Sequence, residues 1–185
     1  MKNLLLFSKT ESAGFKPEDV NAILEKCIRL VAHHLEINSI RLEKGLASDL
    51  PLIECDAGQL QQAFLAITMN AVEAMDEGGT LTLRTARRAE EDAVEVAIAD
   101  TGVGIPEDIL PKIFEPFFTT KSEGKGVGLG LSVAYGIVQR HDGRISVDSK
   151  VNNGTTFTVV LPAHVQEKHE QGKETRVRES AEKRG

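Results

Sequence analysis

The sequence predicts an α+β fold, a two-layer α/β sandwich in which helices cover one face of a mixed, mostly antiparallel sheet. Helical and strand periodicities alternate along the chain in the order α-β-α-β-β-loop-α-β-β, an order typical of helices packed on one side of a sheet. Residues 101–127 are rich in Gly and Pro, as is typical of a long functional loop. We expect the folded domain to span residues 17–162.

The composition fits one soluble domain. A chain of 185 residues is long enough to bury a sizeable core, and its 41% hydrophobic and 27% charged residues are ordinary for a globular protein. The net charge of −6 argues against binding to nucleic acid and against direct contact with an anionic membrane. Cys27 and Cys55 form no CxxC motif and are expected to be buried apolar fillers.

Membrane spans are not expected in this chain. No apolar run approaches the roughly 20 residues that a spanning helix needs, and the Leu4–Phe7 run is too short for the core of a signal peptide. We therefore expect a cytoplasmic location, which leaves open a membrane anchor elsewhere in a parent protein.

The first helix is predicted to open at Pro17–Asp19, because Pro suits the first turn and acidic side chains suit its positive end. It runs to about residue 36 along a stripe that we expect to be buried: Val20, Leu24, Cys27, Val31 and His34. Residues 1–16 are interpreted either as the end of a preceding helix or as a disordered terminus.

The remaining elements follow the same two periodicities. They are a strand near Ile40 and Leu42, a short strand over 52–54, a second helix over about 56–76 capped by Asp56, strands over Thr80–Ala86 and Val94–Ala99, a third helix over about 129–141, and strands over Arg144–Ser149 and Thr155–Leu161. Pro162 ends the last strand. Residues 163–185 mix both charge signs with few large apolar side chains, which predicts a solvated, flexible tail.

Asp100 is the first candidate for chemistry. It shares strand parity with Val94, Val96 and Ile98, so its carboxylate points toward the same apolar layer. A carboxylate aimed into a core needs a partner. The exocyclic amine of an adenine would supply one, and a capping role at the Thr101-Gly102 turn is equally compatible with the position alone.

The second helix carries a polar ribbon beside its apolar stripe. The ribbon comprises Gln59, Gln62, Ala66, Asn70 and Glu73. Asn70 stands at the border of the two, where its amide oxygen is a suitable hard ligand for Mg²⁺. The alternative is an exposed helical Asn.

The glycines Gly126, Gly128 and Gly130 frame the start of the third helix, where free N–H groups and small residues favour phosphate binding. Lys121 and Lys125 are the nearest cations, and they either neutralise phosphate charge or are simply solvated. Phe114, Phe117 and Phe118 form either a lid or a core anchor.

Four short motifs follow one another along the chain, and their combination is more specific than any one of them. They are Asn70-Ala-Val-Glu-Ala-Met75, Asp100-Thr-Gly-Val-Gly-Ile-Pro106, Ile113-Phe-Glu-Pro-Phe-Phe-Thr-Thr-Lys121 and Gly124-Lys-Gly-Val-Gly-Leu-Gly-Leu131. They resemble the N, G1, F and G2 boxes of the histidine-kinase ATP-binding domain. That family has the Bergerat (GHKL) fold, shared with type II topoisomerases, MutL and Hsp90. The resemblance covers roughly residues 17–162 and implies ATP or ADP as ligand, with Mg²⁺.

The resemblance also implies roles for individual residues. Asp100 would read the adenine, Asn70 would be the magnesium ligand, and Thr155 in a G3-like segment would hold a water between Asp100 and adenine. The catalytic set would be Asn70, Glu73 and Lys121. Glu73 would either orient metal-bound water or be a solvated side chain. The implied nucleotide contacts are Asn70, Asp100, Gly102, Gly104, Ile105, Phe114, Thr119, Thr120, Lys121, Lys125, Gly126, Val127, Gly128, Leu129, Gly130, Leu131 and Thr155.

Ala66 departs from the family pattern. Histidine kinases usually carry Asn at this position, and the hydrolysing branches of the superfamily carry a Glu that activates water. Ala66 cannot act as a base, so efficient ATP hydrolysis is not expected. Loss of the usual Asn is also expected to reduce nucleotide affinity.

The five histidines supply no phosphoacceptor. His33 and His34 lie in a segment with the wrong spacing and no following proline, and His34 is expected to be a satisfied core residue. His141 matches a family position without chemistry, and His164 and His169 lie in the tail. No metal-ligand spacing occurs among them.

The implied function is transfer of the γ-phosphoryl group of ATP to a histidine on a dimerisation domain absent from this chain. Residues 1–16 would then be the end of a dimerisation helix, and a response regulator receiver domain would be a further partner. The fragment is expected to be a monomer that turns over little ATP. The alternatives are a hydrolysing relative of the MutL or gyrase kind, a serine kinase of the same fold, and an inactive nucleotide-binding regulatory module.

Overall fold

The computed structural model describes residues 14–120 and 127–163. In chain order its elements are β1 (Lys16–Glu18), α1 (Val20–Ile37), β2 (Ile40–Leu46), β3 (Ile53–Cys55), α2 (Ala57–Glu73), β4 (Gly79–Arg88), β5 (Ala93–Asp100), α3 (Gly130–Arg140), β6 (Arg144–Ser149) and β7 (Thr155–Pro162), with short 3₁₀ turns at Ala89–Glu91 and Leu110–Lys112. This is the α+β sandwich that the sequence predicts.

Five strands form the main sheet in the order β2-β4-β5-β7-β6. The β2–β4 pair is parallel and the other three pairs are antiparallel, so the sheet is mixed and mostly antiparallel as expected. Buried and exposed residues alternate along the strands, as at Leu81, Leu83 and Arg84 of β4, because one face carries the helices. Phe64 and Ile67 of α2 are fully buried in the resulting core.

The start of the first helix differs from the prediction. Lys16–Glu18 form a strand that pairs antiparallel with β3, and Pro17 lies opposite Glu54. The helix begins at Val20, and Asp19 is its N-cap residue, with a carboxylate that accepts a hydrogen bond from the Asn21 N–H at 2.8 Å. Pro is compatible with both sites, since an edge strand also tolerates its missing N–H. Pairing with β3 therefore decided the outcome.

His34 is exposed, so its assignment to the core is wrong. The buried stripe of α1 continues from Val31 to Leu35. With 3.6 residues per turn, the next buried position of the stripe, one turn after Val31, falls between residues 34 and 35. The apolar side chain of Leu35 occupies it.

His141 is the histidine that the fold buries. Its Nδ1 donates to the carbonyl oxygen of Ile137 at 2.8 Å, and its Nε2 accepts from the Asp56 N–H at 3.1 Å. Because Nε2 accepts, the ring proton lies on Nδ1. Phe15 stacks on the ring at a centroid distance of 4.7 Å. His141 thus joins the end of α3 to the N-cap of α2 and to the chain entering β1.

Replacement of this imidazole should be costly. His141→Ala is expected to lower the free energy of unfolding by about 2–4 kcal/mol, because it leaves the buried Asp56 N–H without its acceptor and opens a void. Urea unfolding would measure the loss. His33→Ala, at an exposed position of α1, is the control and should stay within about 0.5 kcal/mol of the parent protein. Equal effects of the two changes would contradict the structural role of His141.

Candidate nucleotide site

Asp100 ends β5 and is buried, with 7% of its surface exposed. Its Oδ1 accepts hydrogen bonds from the Gly102 N–H at 2.8 Å and the Thr155 N–H at 3.3 Å. Burial raises the pKa of the carboxyl, and these two backbone hydrogen bonds partly oppose the rise. No other residue of the described structure hydrogen-bonds the carboxylate. Oδ1 therefore caps the turn while Oδ2 remains available to a ligand. The two interpretations of Asp100, as a turn cap and as an adenine acceptor, are thus compatible.

Gly102 and Gly104 hold the loop after β5 against the rest of the domain. A Cβ on Gly102 would overlap the carbonyl oxygen of Ala74 at the end of α2, to which the Val103 N–H donates at 3.1 Å. Gly104 has a φ of +70°, and a Cβ there would overlap the backbone of Lys150. Both glycines are thus required by the protein's own packing. Their approach to a base stays a prediction.

Three polar residues lie side by side across the sheet at this edge. Thr155 pairs with Asp100 on one side and with Ser149 on the other. Ser149 Oγ contacts Thr155 Oγ1 at 2.8 Å, the Gly154 carbonyl oxygen at 3.1 Å and the Ile105 N–H at 2.8 Å. Ser149 joins the loop after β5 to the start of β7. Sequence reasoning missed it, because only strand register brings it next to Thr155.

Asn70 of α2 faces the first turn of α3. Its Nδ2 donates to the Ala66 carbonyl oxygen at 3.1 Å, which sets the orientation of the amide. A Cβ on Gly130 would lie 3.8 Å from the Ala66 Cβ and 3.9 Å from Asn70 Nδ2, which is ordinary contact. The fold therefore does not itself demand glycine at position 130. Leu129, the N-cap residue of α3, makes no side-chain capping hydrogen bond, as suits a helix end that binds an anion.

The phenylalanines of residues 114–118 have two different roles. Phe114 packs against Tyr135 and Phe157 at centroid distances of 5.4 and 6.4 Å and anchors the segment to the core. Phe117 is 70% exposed and has a φ of +67°. Its N–H donates to the Gly128 carbonyl oxygen at 2.9 Å, so the segment is tied to the turn before α3.

Of the other residues that the sequence assigns to the site, some lie in the described ranges and some do not. Lys121, Lys125 and Gly126 lie outside the described residues, and their roles stay predictions. Among the described residues, Leu131 is half-buried at the start of α3, whereas four others are exposed: Thr119, Thr120, Val127 and Leu129. Glu73, at the end of α2, is also exposed. Gly128 has a φ of +70°, and a Cβ there would approach the Phe118 carbonyl oxygen to 2.6 Å.

A metal would need ligands from outside the protein. Across residues 14–120 and 127–163, no group of three or more His, Cys, Asp or Glu side chains is placed to hold an ion. Magnesium commonly takes one or two protein ligands and completes its shell with water and substrate phosphates. The Asn70 amide beside an uncapped helix end fits that pattern.

Among residues 14–120 and 127–163, none of the helices has both the length and the apolar character that a membrane span requires.

The fold and this edge of the sheet define a class of nucleotide-binding domain. A family model described as "Histidine kinase-, DNA gyrase B-, and HSP90-like ATPase" matches residues 55–165. The chain belongs to this family, and more narrowly it is an ATP-binding catalytic domain of the sensor histidine kinase type.

Relatives and solved structures agree with that assignment. Sensor kinase CckA of Brucella abortus (strain 2308) is 39% identical over 91% of this chain and 19% of its own length. Sporulation kinase C of Bacillus subtilis (strain 168) is 36% identical over 88% of this chain and 37% of its own. The chain therefore spans well under half the length of either relative.

Two solved structures share the fold. The catalytic domain of histidine kinase ThkA superposes with a TM-score of 0.72 at 28% identity, over 80% of this chain and 95% of that one. Full-length ShkA in complex with AMPPNP superposes with a TM-score of 0.73 at 28% identity, over 82% of this chain and 31% of that one. The predicted fold class and family are thus confirmed.

Proposed function

We propose that this domain binds ATP with Mg²⁺ and transfers the γ-phosphoryl group to a histidine imidazole on a dimerisation domain. The observation that carries the proposal is the buried carboxylate of Asp100, one oxygen of which is held by two backbone N–H groups while no described residue hydrogen-bonds the other. Such an acceptor suits the exocyclic amine of adenine. The start of α3, where the described N-cap residue Leu129 makes no side-chain cap, lies beside Asn70 and suits the phosphates.

The residues of this chain divide the work. Asp100 Oδ2 accepts from the adenine amine, the first N–H groups of α3 donate to phosphate oxygens, and Asn70 contributes its amide oxygen to the cation. Mg²⁺, when bound, neutralises charge on the β- and γ-phosphates. Lys121 and Lys125 would add positive charge, an assignment that rests on the sequence.

The acceptor must bring its own nucleophile. Ala66 lies beside Gly130 and takes the position at which, by the family resemblance, the hydrolysing branches carry a Glu base, and a methyl group removes no proton. An imidazole nitrogen carries a lone pair and needs no activation by the domain. Its attack on the γ-phosphorus breaks the bond to the bridging oxygen, and ADP leaves. Ala66 thus favours phosphotransfer over hydrolysis.

Partners are proposed on the same basis. A solved structure of ThkA in complex with the response regulator protein TrrA superposes at 27% identity and a TM-score of 0.69. We propose a receiver domain as the downstream partner of this protein as well, and a monomeric state for the domain by itself.

The decisive experiment supplies a phosphoacceptor. The domain is mixed with the purified dimerisation domain of a related histidine kinase and radiolabelled ATP. Acid-labile, base-stable label on the acceptor supports the proposal. ATP binding without any transfer would favour an inactive regulatory module, for which the missing polar side chain at Ala66 is the specific argument.

Asn70→Ala tests the metal assignment. The variant should lose the part of ADP affinity that Mg²⁺ adds, on the order of tenfold, and should bind metal-free ADP almost as the parent does. Calorimetric titrations with Mg²⁺ and with a chelator measure both affinities. Gln62→Ala, on the same polar ribbon eight residues earlier, is the matched control and should leave the magnesium effect intact. An equal loss with and without metal would remove Asn70 from the metal site.

A further inference from the structure

The hydroxyl of Ser149 has three hydrogen-bonding neighbours in the structure. A hydroxyl offers one donor and accepts at most two hydrogen bonds. Ser149 Oγ accepts from the Ile105 N–H at 2.8 Å and contacts the Gly154 carbonyl oxygen, which can only accept, at 3.1 Å. The serine proton is assigned to the Gly154 carbonyl, which has no proton of its own to give, and one acceptor position of Ser149 remains.

That remaining position decides the state of Thr155. The two hydroxyl oxygens lie 2.8 Å apart. With the serine proton assigned to the Gly154 carbonyl, Ser149 can only accept from Thr155. Thr155 must donate to Ser149 and so uses its only proton. Its Oγ1 can then act toward a ligand only as an acceptor.

Thr155 lies next to the carboxylate that is proposed to read the base. The two residues are directly paired across β5 and β7, their side chains share one face of the sheet, and they are 4% and 7% exposed. An ionised carboxylate is also an acceptor only. Two neighbouring acceptors can accept hydrogen bonds from the two N–H groups of an exocyclic amine. They repel a carbonyl oxygen in the same place.

We infer that Ser149 is a positioning residue that determines base specificity, because it locks Thr155 as an acceptor and so excludes purines that carry a 6-oxo group. The inference rests on the proposed nucleotide function. Without Ser149 the Thr155 hydroxyl is free to rotate and to donate to a carbonyl oxygen. Discrimination against hypoxanthine and guanine should then weaken.

The test compares ADP with IDP, which differ at the purine six-position, by calorimetric titration in Mg²⁺. Wild-type protein should prefer ADP. In Ser149→Ala the ADP-to-IDP affinity ratio should fall by about tenfold, the equivalent of one hydrogen bond. Ser149→Thr, which keeps the hydroxyl, should restore most of the ratio. Ser146→Ala, an exposed serine of the same strand, should leave it unchanged.

If Ser149→Ala does not fold, the variant Thr155→Val still tests the inference. Thr155→Val removes the acceptor with little change in shape and should lower the same ratio. In the Thr155→Val background, Ser149→Ala should have no further effect on the ratio.

The opposing results are separable. Equal losses of ADP and IDP affinity in Ser149→Ala, with the ratio unchanged, would overturn the inference and leave Ser149 a purely structural link while the proposed function stands. A wild-type protein that binds neither nucleotide overturns the proposed function and this inference together.

Discussion

Asp100→Asn is expected to weaken ADP binding by about 10- to 100-fold, since a charge-assisted hydrogen bond contributes about 1.5–3 kcal/mol. The Asn oxygen can keep the hydrogen bonds from the Gly102 and Thr155 N–H groups. Its NH₂ group then takes the place of Oδ2 and points donors at the donor amine of adenine. The loss of affinity should therefore come with a gain for IDP relative to ADP.

The same substitution should not destabilise the free protein. Burial raises the pKa of the Asp100 carboxyl above its ordinary value, so the folded state holds the proton more tightly than the unfolded state. The ionised group therefore costs stability at neutral pH, and this cost disappears as the pH falls through the raised pKa. Asn carries no such cost, so thermal unfolding of the free variant should occur at the same or a higher temperature.

The pH dependence of binding supplies an independent readout. Protonation of Asp100 removes the acceptor, so ADP affinity should fall as the pH drops through the raised pKa. Asp100→Asn should lack this component, while titration of the nucleotide phosphates affects both proteins alike. Calorimetry across the acid range measures the difference between them. Parallel pH profiles, or unchanged affinity in the variant, would overturn the role of Asp100.

Gly154→Ala is expected to be among the most destabilising single substitutions in the domain, with a loss above about 4 kcal/mol. Gly154 has a φ of +82°, and a Cβ there would overlap the Asp100 carbonyl oxygen. The obstacle is backbone within the paired β5 and β7 strands, so it cannot rotate away. The Gly154 carbonyl oxygen also accepts from the Lys150 N–H and from Ser149 Oγ.

Gly136→Ala is the matched control and should act in the opposite direction. Gly136 lies inside α3, and nothing comes within 4 Å of a Cβ placed there. Alanine should raise the free energy of unfolding by about 0.5–1 kcal/mol, because glycine loses more backbone freedom in a helix. Urea unfolding of both variants makes the comparison. A loss below about 1 kcal/mol in Gly154→Ala would mean that the β6–β7 turn relaxes around the new methyl group.

Sequence reasoning was reliable wherever periodicity or glycine spacing set the outcome. The alternation along β5 was enough to aim Asp100 at the buried layer, where it lies. Apart from β1, the positions and order of the strands and helices were also recovered, because the local periodicity of hydrophobic residues marks each of them. The prediction from sequence was wrong at Pro17, because a helix start and an edge strand satisfy the same local preferences. It was also wrong at His34, where one position along the helix separates core from surface.

The fold class, the family, the buried Asp100 and the glycine turns around it can all be predicted from the sequence, because local pattern and residue chemistry carry that information. Which distant residues meet depends instead on strand register and helix packing. Strand register set Ser149 beside Thr155 and Asp100, and helix packing placed His141 against Asp56 and Gly130 against Asn70. These pairings depend on how far one element slides against another, which burial of the whole core sets and no local segment encodes.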